Sequence, residues 1–386
     1  MQRALSFAHS VLALQQVHRW SPDVALAILS CGSLRSDLLA WQAAAQRQVE
    51  AVGDSWAQQD EGPSAEDLQA RRPGAGAGSL AIMLQTELNW LLDDSLAAWA
   101  RPGGDWRSIR WQQLERDLKE AAGVAEAVWE QRLQQRIPLQ YLTATAFWRD
   151  IVLSVGPGVL IPRPETELVI DFVQEAVAAA PELARGAWAD LGTGSGALAV
   201  GVARALPQAQ QVYAVDLSPV PLSYAAFNAR RLGGSWFEPL EAAGMPQLAG
   251  VVSNPPYIRS TDMPSLQAEV GRHEPHLALH GGEGLGIDCL LPICMGAARR
   301  LQPGGFLALE TAGGEQAHYI ADLLSHMRRS ALGGCGPADG ITGGSGVPGR
   351  EQLAFEDVRV RRDLRGVDRF VTASRAAAPA TGPEDE

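Results

Sequence analysis

The sequence predicts an α/β fold: a doubly wound, Rossmann-like parallel sheet preceded by a small all-α domain. From about residue 145 onward, short apolar runs alternate with segments of helical periodicity, which is the pattern of a parallel sheet with crossover helices. A glycine-rich turn joins one of these runs to the next helix. Over 81–140, leucine and tryptophan recur at helical spacing, which predicts the helical domain.

The N-terminal segment, 1–52, has two interpretations. From Met1 to Arg35 the only acidic residue is Asp23, whereas arginine and serine recur. An acid-poor start of this kind is typical of an organelle transit segment. The alternative is an extra N-terminal helix, because the stretch SVLALQQVHRW is amphipathic. Residues 53–80 are polar and rich in glycine, proline and alanine, which predicts a flexible linker.

The predicted helical domain covers 81–143. Its first helix spans 81–100, a second includes Ile109 to Leu118, and a third runs from Val124 to Arg136. Pro138 ends the third helix because proline lacks the backbone N–H that a helix needs.

The predicted α/β domain covers 144–375. The runs that predict strands are DIVLSV, AWADLG, QQVYAVDLS, LAGVVSN and GFLALET, followed by two antiparallel edge strands in FEDVRVRRDLRGVDRFVTASR. Helices are predicted after the loop GPGVLIPRPE and in the segments ALAVGVARAL, LSYAAFNARRLG, DCLLPICMGAARRLQ and QAHYIADLLSHM. The glycine-rich segment 333–349 is interpreted as a disordered insertion, and 376–386 as a disordered tail.

Composition excludes some classes of partner. The net charge of -12 and the pI of about 5.1 argue against stable binding to nucleic acid, which needs dense lysine and arginine. The four cysteines have no paired metal-ligand spacing and are interpreted as reduced thiols. No uninterrupted apolar stretch is long enough to span a bilayer, so no membrane association is expected.

The glycine turn predicts a cofactor site. The segment DLGTGSGALAVG places Gly192, Thr193, Gly194, Ser195 and Gly196 between a strand and a helix, where glycine allows close approach of a ligand. Asp216 ends the next strand, 20 residues after Gly196, where its carboxylate can accept from ribose hydroxyls. Because no phosphate-binding lysine is present, the pattern favours S-adenosylmethionine (SAM), a nucleoside without phosphates. The alternative is a tight turn with a helix-capping acid.

The tetrapeptide Asn254-Pro255-Pro256-Tyr257 predicts the catalytic residues. It follows an apolar strand, at the sheet edge where ligands of such folds bind. The Asn254 side-chain oxygen and the Pro255 carbonyl can accept both hydrogens of a planar amide or amino nitrogen and aim its lone pair at a methyl group. Tyr257 can stack on that planar group. The alternative, a rigid turn without chemical meaning, is less favoured beside the glycine turn.

Taken together, several motifs resemble the release factor glutamine N5-methyltransferase family (HemK/PrmC type), and in particular its plant organellar branch. They are IPRPETE, DLGTGSGA, VSNPPYI, LQAEVGRHEPHLALHGGEGL, LQPGGFLALET and GVDRFVTA, and the resemblance covers about 81–375. The glycine turn and NPPY alone are shared with DNA and RNA amino-methyltransferases, whereas IPRPETE followed by both is more specific.

The resemblance implies a class I methyltransferase fold, SAM as cofactor and methylation of the glutamine in the Gly-Gly-Gln (GGQ) loop of class I peptide-chain release factors. It implies that the helical domain helps to recognise the factor. The glycine turn, Asp216 and Trp236 would hold the cofactor, and NPPY the glutamine. Arg163, Glu165 and Thr166 of IPRPETE would close over the site. The plant organellar likeness implies an organelle, a plastid rather than a mitochondrion, with the cytoplasm as the alternative.

One departure from the family concerns the third strand of the sheet. Only Gly234 separates the helix ending at Gly233 from SWFEPL, where the family has a turn and a strand. The third strand is therefore predicted to be missing, with Trp236 displaced, unless the sequence reflects a mis-spliced gene model. This leaves two alternatives to the release factor enzyme: a methyltransferase of exocyclic amino groups in DNA or RNA, and a catalytically impaired binding module.

Weaker signals favour structural roles. His273, His276 and His280 have a spacing compatible with zinc, but no cysteine accompanies them and no metal site is predicted. Glu310 ends the strand LALET, where two roles are equally open: support of the cofactor pocket or a buried cap.

Overall fold

The computed structural model describes residues 44–45, 47–49, 127–232, 247–328 and 353–377. Several sequence predictions lie wholly or largely outside these residues: the transit segment, the linker, the first two helices of the helical domain, Trp236, the insertion 333–349 and the tail. The segment 233–246, which bears on the missing strand, also lies outside them.

The chain divides into two compact units, of which the first comprises Met1–Leu142 and Pro264–Val270. Residues 127–135 are helical, within the predicted third helix, and a short helix α1 spans Leu139–Leu142 directly after Pro138. Arg132 and Arg136 are both buried and both bind the Glu269 carboxylate, at 2.9 Å and 2.7 Å. Two guanidinium groups on one carboxylate fix the 264–270 segment to the helical segment of this unit.

The second unit comprises Thr143–Met263 and Gly271–Glu386 and contains the α/β domain. The strands are β1 (Thr145–Trp148), β2 (Ile151–Ser154), β3 (Ala187–Leu191), β4 (Gln211–Val215), β5 (Leu248–Ser253), β6 (Ile258–Arg259), β7 (His280–Gly282), β8 (Leu301–Glu310), β9 (Phe355–Arg362) and β10 (Asp368–Arg375). The helices that follow α1 are α2 (Leu168–Ala179), α3 (Ala197–Ala205), α4 (Pro219–Arg231), α5 (Ala268–His273, which begins in the first unit), α6 (Leu290–Arg300) and α7 (Glu315–His326).

The main sheet has the strand order β4-β3-β5-β8-β10-β9. Strands β4, β3, β5 and β8 are parallel, while β10 runs antiparallel to both β8 and β9. The predicted doubly wound fold is confirmed. The last two strands are antiparallel as predicted, but only β9 of the two is an edge strand, because β10 lies between β8 and β9. Within the described part of the chain β4 is the outermost strand on its side, so the prediction that a third strand is missing stays a prediction.

Two apolar layers cover the two faces of the sheet. Along β8, Phe306 and Ala308 belong to one buried cluster, whereas Leu307 and Leu309 belong to the other. Alternate strand residues point to opposite faces, so the two clusters lie on opposite sides of the sheet. Helices α2 and α3 pack on the first face, and α6 and α7 on the second. Burial on both faces explains why these strands are continuously apolar.

The chain reverses direction across the sheet beside β3. After β3 it passes outward to β4, and then returns to place β5 on the other side of β3. Because parallel strands end at the same edge, the loops after β3, β4 and β5 meet at this switch point. The glycine turn, Asp216 and the NPPY segment belong to these three loops.

Candidate active site

A cavity of about 480 Å³ opens at the carboxyl ends of β3, β4 and β5. Its volume is typical of a site for a small ligand. Its lining comes from the loop before α2, the glycine turn, the loop after β4, the NPPY segment and the segments around residues 275 and 289. The lining residues are Gly158, Leu160, Pro162, Arg163, Thr166, Leu191, Gly192, Thr193, Gly194, Ser195, Ala197, Leu198, Val215, Asp216, Leu217, Ser218, Val220, Pro221, Asn254, Pro255, Pro256, Pro275, Leu277, Ala278, Cys289 and Ile293.

The glycines of the turn differ in what surrounds them. All three have positive φ, which side chains disfavour. A Cβ atom on Gly194 would meet nothing within 4 Å, and Gly194 lines the cavity. A Cβ atom on Gly196 would lie 3.1 Å from Ala225 Cα on α4. Gly196 therefore serves the packing of α3 on α4, and it is not among the lining residues.

Asp216 organises the loop between β4 and α4. Its Oδ2 accepts from the Gly194 backbone N–H at 3.0 Å, and its Oδ1 accepts from the Ser218 N–H at 3.0 Å. Both oxygens retain lone pairs, because a carboxylate offers about four acceptor positions. Asp216 thus links the two cofactor-site segments that the sequence predicted and still presents acceptors to the cavity.

Asp190, at the end of β3, is a buried acid that the motif analysis did not single out. Its Oδ2 accepts from the Thr193 hydroxyl at 2.7 Å and from the Ala199 N–H at 3.0 Å, which ties the glycine turn to the first turn of α3. Its Oδ1 has no partner among the described residues. Burial, with a smaller contribution from the Asp216 charge, outweighs the two hydrogen bonds and raises the pKa of Asp190 to about 7.

The NPPY segment follows β5 directly, as predicted. Asn254, Pro255 and Pro256 all line the cavity. The Asn254 side-chain nitrogen donates to the Thr166 hydroxyl at 3.0 Å, across 88 residues of sequence. This contact joins NPPY to the IPRPETE motif, which the sequence placed in the same site on resemblance alone.

Tyr257 is held from two directions. Its hydroxyl donates to Glu310 Oε1 at 3.0 Å, and its backbone carbonyl accepts from the Gln316 side chain at 3.1 Å. Burial, with the Glu310 charge, raises the pKa of Tyr257, so the phenol keeps its proton. Tyr257 is not among the residues that line the cavity, and its stacking role stays a prediction.

Two of the three predicted IPRPETE residues line the cavity. Arg163 and Thr166 line it, whereas Glu165 lies 3.6 Å from the Arg365 guanidinium and is not a lining residue. Arg163 is anchored by an ion pair with the buried Glu274 at 2.6 Å, and its backbone carbonyl accepts from the Trp148 indole at 3.1 Å. Glu274 also accepts from the Ile161 N–H, so it fixes the loop as well as the guanidinium.

The histidines contact each other and a serine. His280 Nε2 lies 2.8 Å from Ser260 Oγ, and its ring centroid is 4.9 Å from that of His276. No group of three histidine, cysteine, aspartate or glutamate side chains that could hold a metal ion is found in the described part of the chain. None of the described helices has the length and apolar character needed to cross a membrane.

Proteins of similar sequence identify the family of this chain. Over 300 residues the chain is 39% identical to the release factor glutamine methyltransferase of Synechocystis sp., covering 74% of this chain and 89% of that protein. Proteins of the same name from Gloeobacter violaceus and Thermosynechococcus vestitus are 46% and 39% identical, over 53% and 64% of this chain and 71% and 77% of theirs. This chain belongs to the release factor glutamine methyltransferase family. The resemblance inferred from the motifs is confirmed.

The family assignment rests on these sequence relatives. No protein-family model matches the chain. Among solved structures, it is similar to the release-factor-specific protein-(glutamine-N5) methyltransferase of Alicyclobacillus acidocaldarius, at 24% identity, with coverage of 58% of this chain and 99% of that chain. The TM-score of this similarity is 0.28.

Proposed function

We propose that this family member transfers the methyl group of SAM to the side-chain nitrogen of the glutamine in the GGQ loop of a class I peptide-chain release factor. The observation that carries the proposal is the convergence of the glycine turn, Asp216, Asn254 and Thr166 on one cavity, in a chain of this family. Metal and covalent intermediates are not needed for such a displacement.

The residues of the cavity fit SAM. Asp216 has acceptors for ribose hydroxyls, and the Gly194 position leaves open space where a nucleoside can approach the backbone. Leu217, Val220 and Pro221 give an apolar wall beside Asp216 that suits an aromatic base. Among the described residues, no lysine lines the cavity. Trp236, the remaining predicted cofactor residue, lies outside the described residues.

The chain's own groups prepare the substrate nitrogen. When bound, SAM supplies an electrophilic methyl group on a positively charged sulfur. The Asn254 side-chain oxygen and the Pro255 carbonyl accept the two N–H hydrogens of the glutamine amide and so free its lone pair from conjugation. The prolines stiffen both acceptors. Transfer would form a new N–C bond as the S–C bond of SAM breaks, leaving a neutral thioether, and the nitrogen would lose one of its two hydrogens as a proton to water.

Arg163 and Thr166 form part of the wall of the cavity. Among the described residues, Arg163 is the only cationic side chain that lines it. Because Arg163 is held by Glu274, we expect it to stabilise the wall rather than to move with the substrate. Glu165 contacts Arg365 instead, and we propose for it a role in holding this loop against the sheet's closing strands.

An organelle remains our proposed location, and a plastid in particular. The acid-poor N-terminal segment supports it, and so does the similarity to proteins from three cyanobacteria. Fusion of residues 1–52 to a fluorescent protein in plant cells tests it: fluorescence confined to plastids supports the proposal, and diffuse cytoplasmic fluorescence contradicts it.

Label transfer tests the reaction. The full chain is incubated with methyl-labelled SAM and a release factor, and incorporation is compared with that into a factor whose GGQ glutamine is changed to alanine. Label on the wild-type factor alone supports the proposal. Equal label on both factors, or label on added DNA or RNA instead, contradicts it and favours an exocyclic amino group as substrate.

A further inference from the structure

A chain of hydrogen bonds lies directly behind the cavity wall and ends on Asn254. Thr166 Oγ1 donates to Glu310 Oε2 at 2.6 Å, and Asn254 Nδ2 donates to Thr166 Oγ1 at 3.0 Å. Tyr257 occupies the other Glu310 oxygen at 3.0 Å. Glu310 is 1% exposed and Thr166 is 4% exposed, so water does not compete for these contacts.

The donors and acceptors give this chain one direction. A carboxylate has no hydrogen to donate, so the hydroxyls of Thr166 and Tyr257 must both donate to Glu310. A hydroxyl has a single hydrogen, so the Thr166 oxygen can only accept from Asn254. That oxygen therefore selects the nitrogen of the Asn254 amide. The amide is planar, and its Oδ1 consequently points away from Thr166.

The charges around Glu310 come from several elements. Burial raises its pKa, and Glu165 in the turn before α2 raises it further. The hydrogen bonds from Thr166 and Tyr257 lower the pKa of Glu310, as does the Arg369 guanidinium on the neighbouring strand β10. Arg369 is itself held by Asp363 at 3.0 Å. On balance the pKa of Glu310 is raised, with burial as the largest cause. The two hydroxyl donors and the fixed cation oppose this rise, and the direction of the hydrogen bonds holds for the carboxylate form that they favour.

We propose that Glu310 is a positioning residue for methyl transfer: acting through Thr166, it holds the Asn254 amide with its nitrogen turned inward and its oxygen presented to the cavity. This role rests on the proposed function, because the presented oxygen is the acceptor for the substrate amide. Thr166 then orients the Asn254 amide, and Glu310, which lies 144 residues after Thr166 in the sequence, orients the Thr166 hydroxyl.

NMR of asparagine side chains tests the orientation without any substrate. The chain contains only three asparagines, Asn89, Asn228 and Asn254, so ¹⁵N-asparagine labelling gives three side-chain NH₂ pairs. Asn254→Asp removes one pair and thereby assigns it. Asn228, which bonds Ser154 and Ser195, is the internal reference. We expect Thr166→Val and Glu310→Gln to change the chemical shifts of the Asn254 NH₂ signals and to leave those of Asn228 unchanged.

Kinetics test whether the orientation matters for transfer. In Thr166→Val we expect kcat to fall roughly 10- to 100-fold while the Kd for SAM, measured by calorimetry, stays unchanged. Thr166→Ser keeps the hydroxyl and should recover most of the rate. The matched control is Thr145→Val, because the Thr145 hydroxyl contacts Thr143 and does not line the cavity. It should leave the rate and the Asn254 signals unchanged.

The outcomes separate the two proposals. The positioning role is overturned if the NH₂ signals of Asn254 keep their chemical shifts in both Thr166→Val and Glu310→Gln. It is also overturned if these signals shift while kcat is undiminished. If the wild-type chain transfers no methyl group to a release factor, the proposed function fails, and the NMR comparison still decides the orientation. Should one variant fail to fold, the other provides the same comparison.

Discussion

At the scale of single residues, the two ends of the Asn254 side-chain amide have different roles. Its nitrogen donates to Thr166 and the residue lines the cavity. In the proposed mechanism its oxygen accepts from the substrate amide. An alanine at this position keeps the cavity but removes the acceptor. The residue therefore separates cofactor binding from the chemical step.

We expect Asn254→Ala to lower the rate of methyl transfer on the order of 10²- to 10³-fold, because it removes one preorganised contact to the reacting group. The Kd for SAM should change little. Single-turnover transfer and calorimetry measure the two quantities. Thr261→Ala, an exposed change just beyond β6, is the control. An Asn254→Ala variant that transfers at the wild-type rate rules out this mechanism.

Asp190 gives the folded protein a pH-dependent stability. Its pKa is raised by burial to about 7 from 3.8, so between these values the folded chain binds a proton that the unfolded chain lacks. Stability from this group is complete at low pH and is lost as pH rises towards 7.

We expect the free energy of unfolding of the wild type, relative to Asp190→Asn, to fall by about 1.4 kcal/mol per pH unit between pH 5 and 7. The asparagine cannot ionise, so its own contribution should not change. Urea unfolding of both proteins across this range provides the measurement. Parallel curves for the two proteins would falsify the assignment of the raised pKa to Asp190.

At the scale of elements, two glycines of the turn between β3 and α3 are needed for different reasons: both for their left-handed backbone, and one of them also for packing. Gly194 and Gly196 have φ values of 55° and 87°, both in the left-handed region. Only Gly196 lies against another element, since an added Cβ would approach Ala225 on α4.

We expect Gly194→Ala to lower the free energy of unfolding by about 1 to 2 kcal/mol, the cost of a left-handed side chain. Gly196→Ala carries the same cost plus an overpacking term of about 1 to 3 kcal/mol. Chemical unfolding of the two variants measures the difference. Equal losses would mean that α4 can move away from the turn at no cost, contrary to the packing described here.

The elements were predictable where local pattern decides them. The strand and helix order, the antiparallel closing pair and the meeting of the Asp216 and Asn254 loops follow from periodicity and from the rule for carboxyl ends. The network around Glu310 was not predictable, because Thr166 and Tyr257 come from segments 144 and 53 residues away. Gln316, which holds Tyr257 through its backbone, likewise carries no sequence signal beyond its place at the start of α7.

At the scale of the whole molecule, binding of SAM in the cavity links the site to the stability of the fold. Asp216 and the glycine turn are in place, while Trp236 lies outside the described residues. A ligand that binds only the folded state raises its free energy of unfolding, so thermal unfolding reports on the site without any substrate.

We expect SAM at about 100 times its Kd to raise the Tm by about 5 to 10 °C, because it adds about 2.7 kcal/mol to a domain of this size. Asp216→Asn should show a smaller rise at the same concentration, since it loses a charged acceptor for the ribose. Asp322→Asn, an exposed change on α7, should rise as the wild type does. If SAM leaves the Tm of the wild type unchanged, the expectation that this cavity binds SAM is wrong.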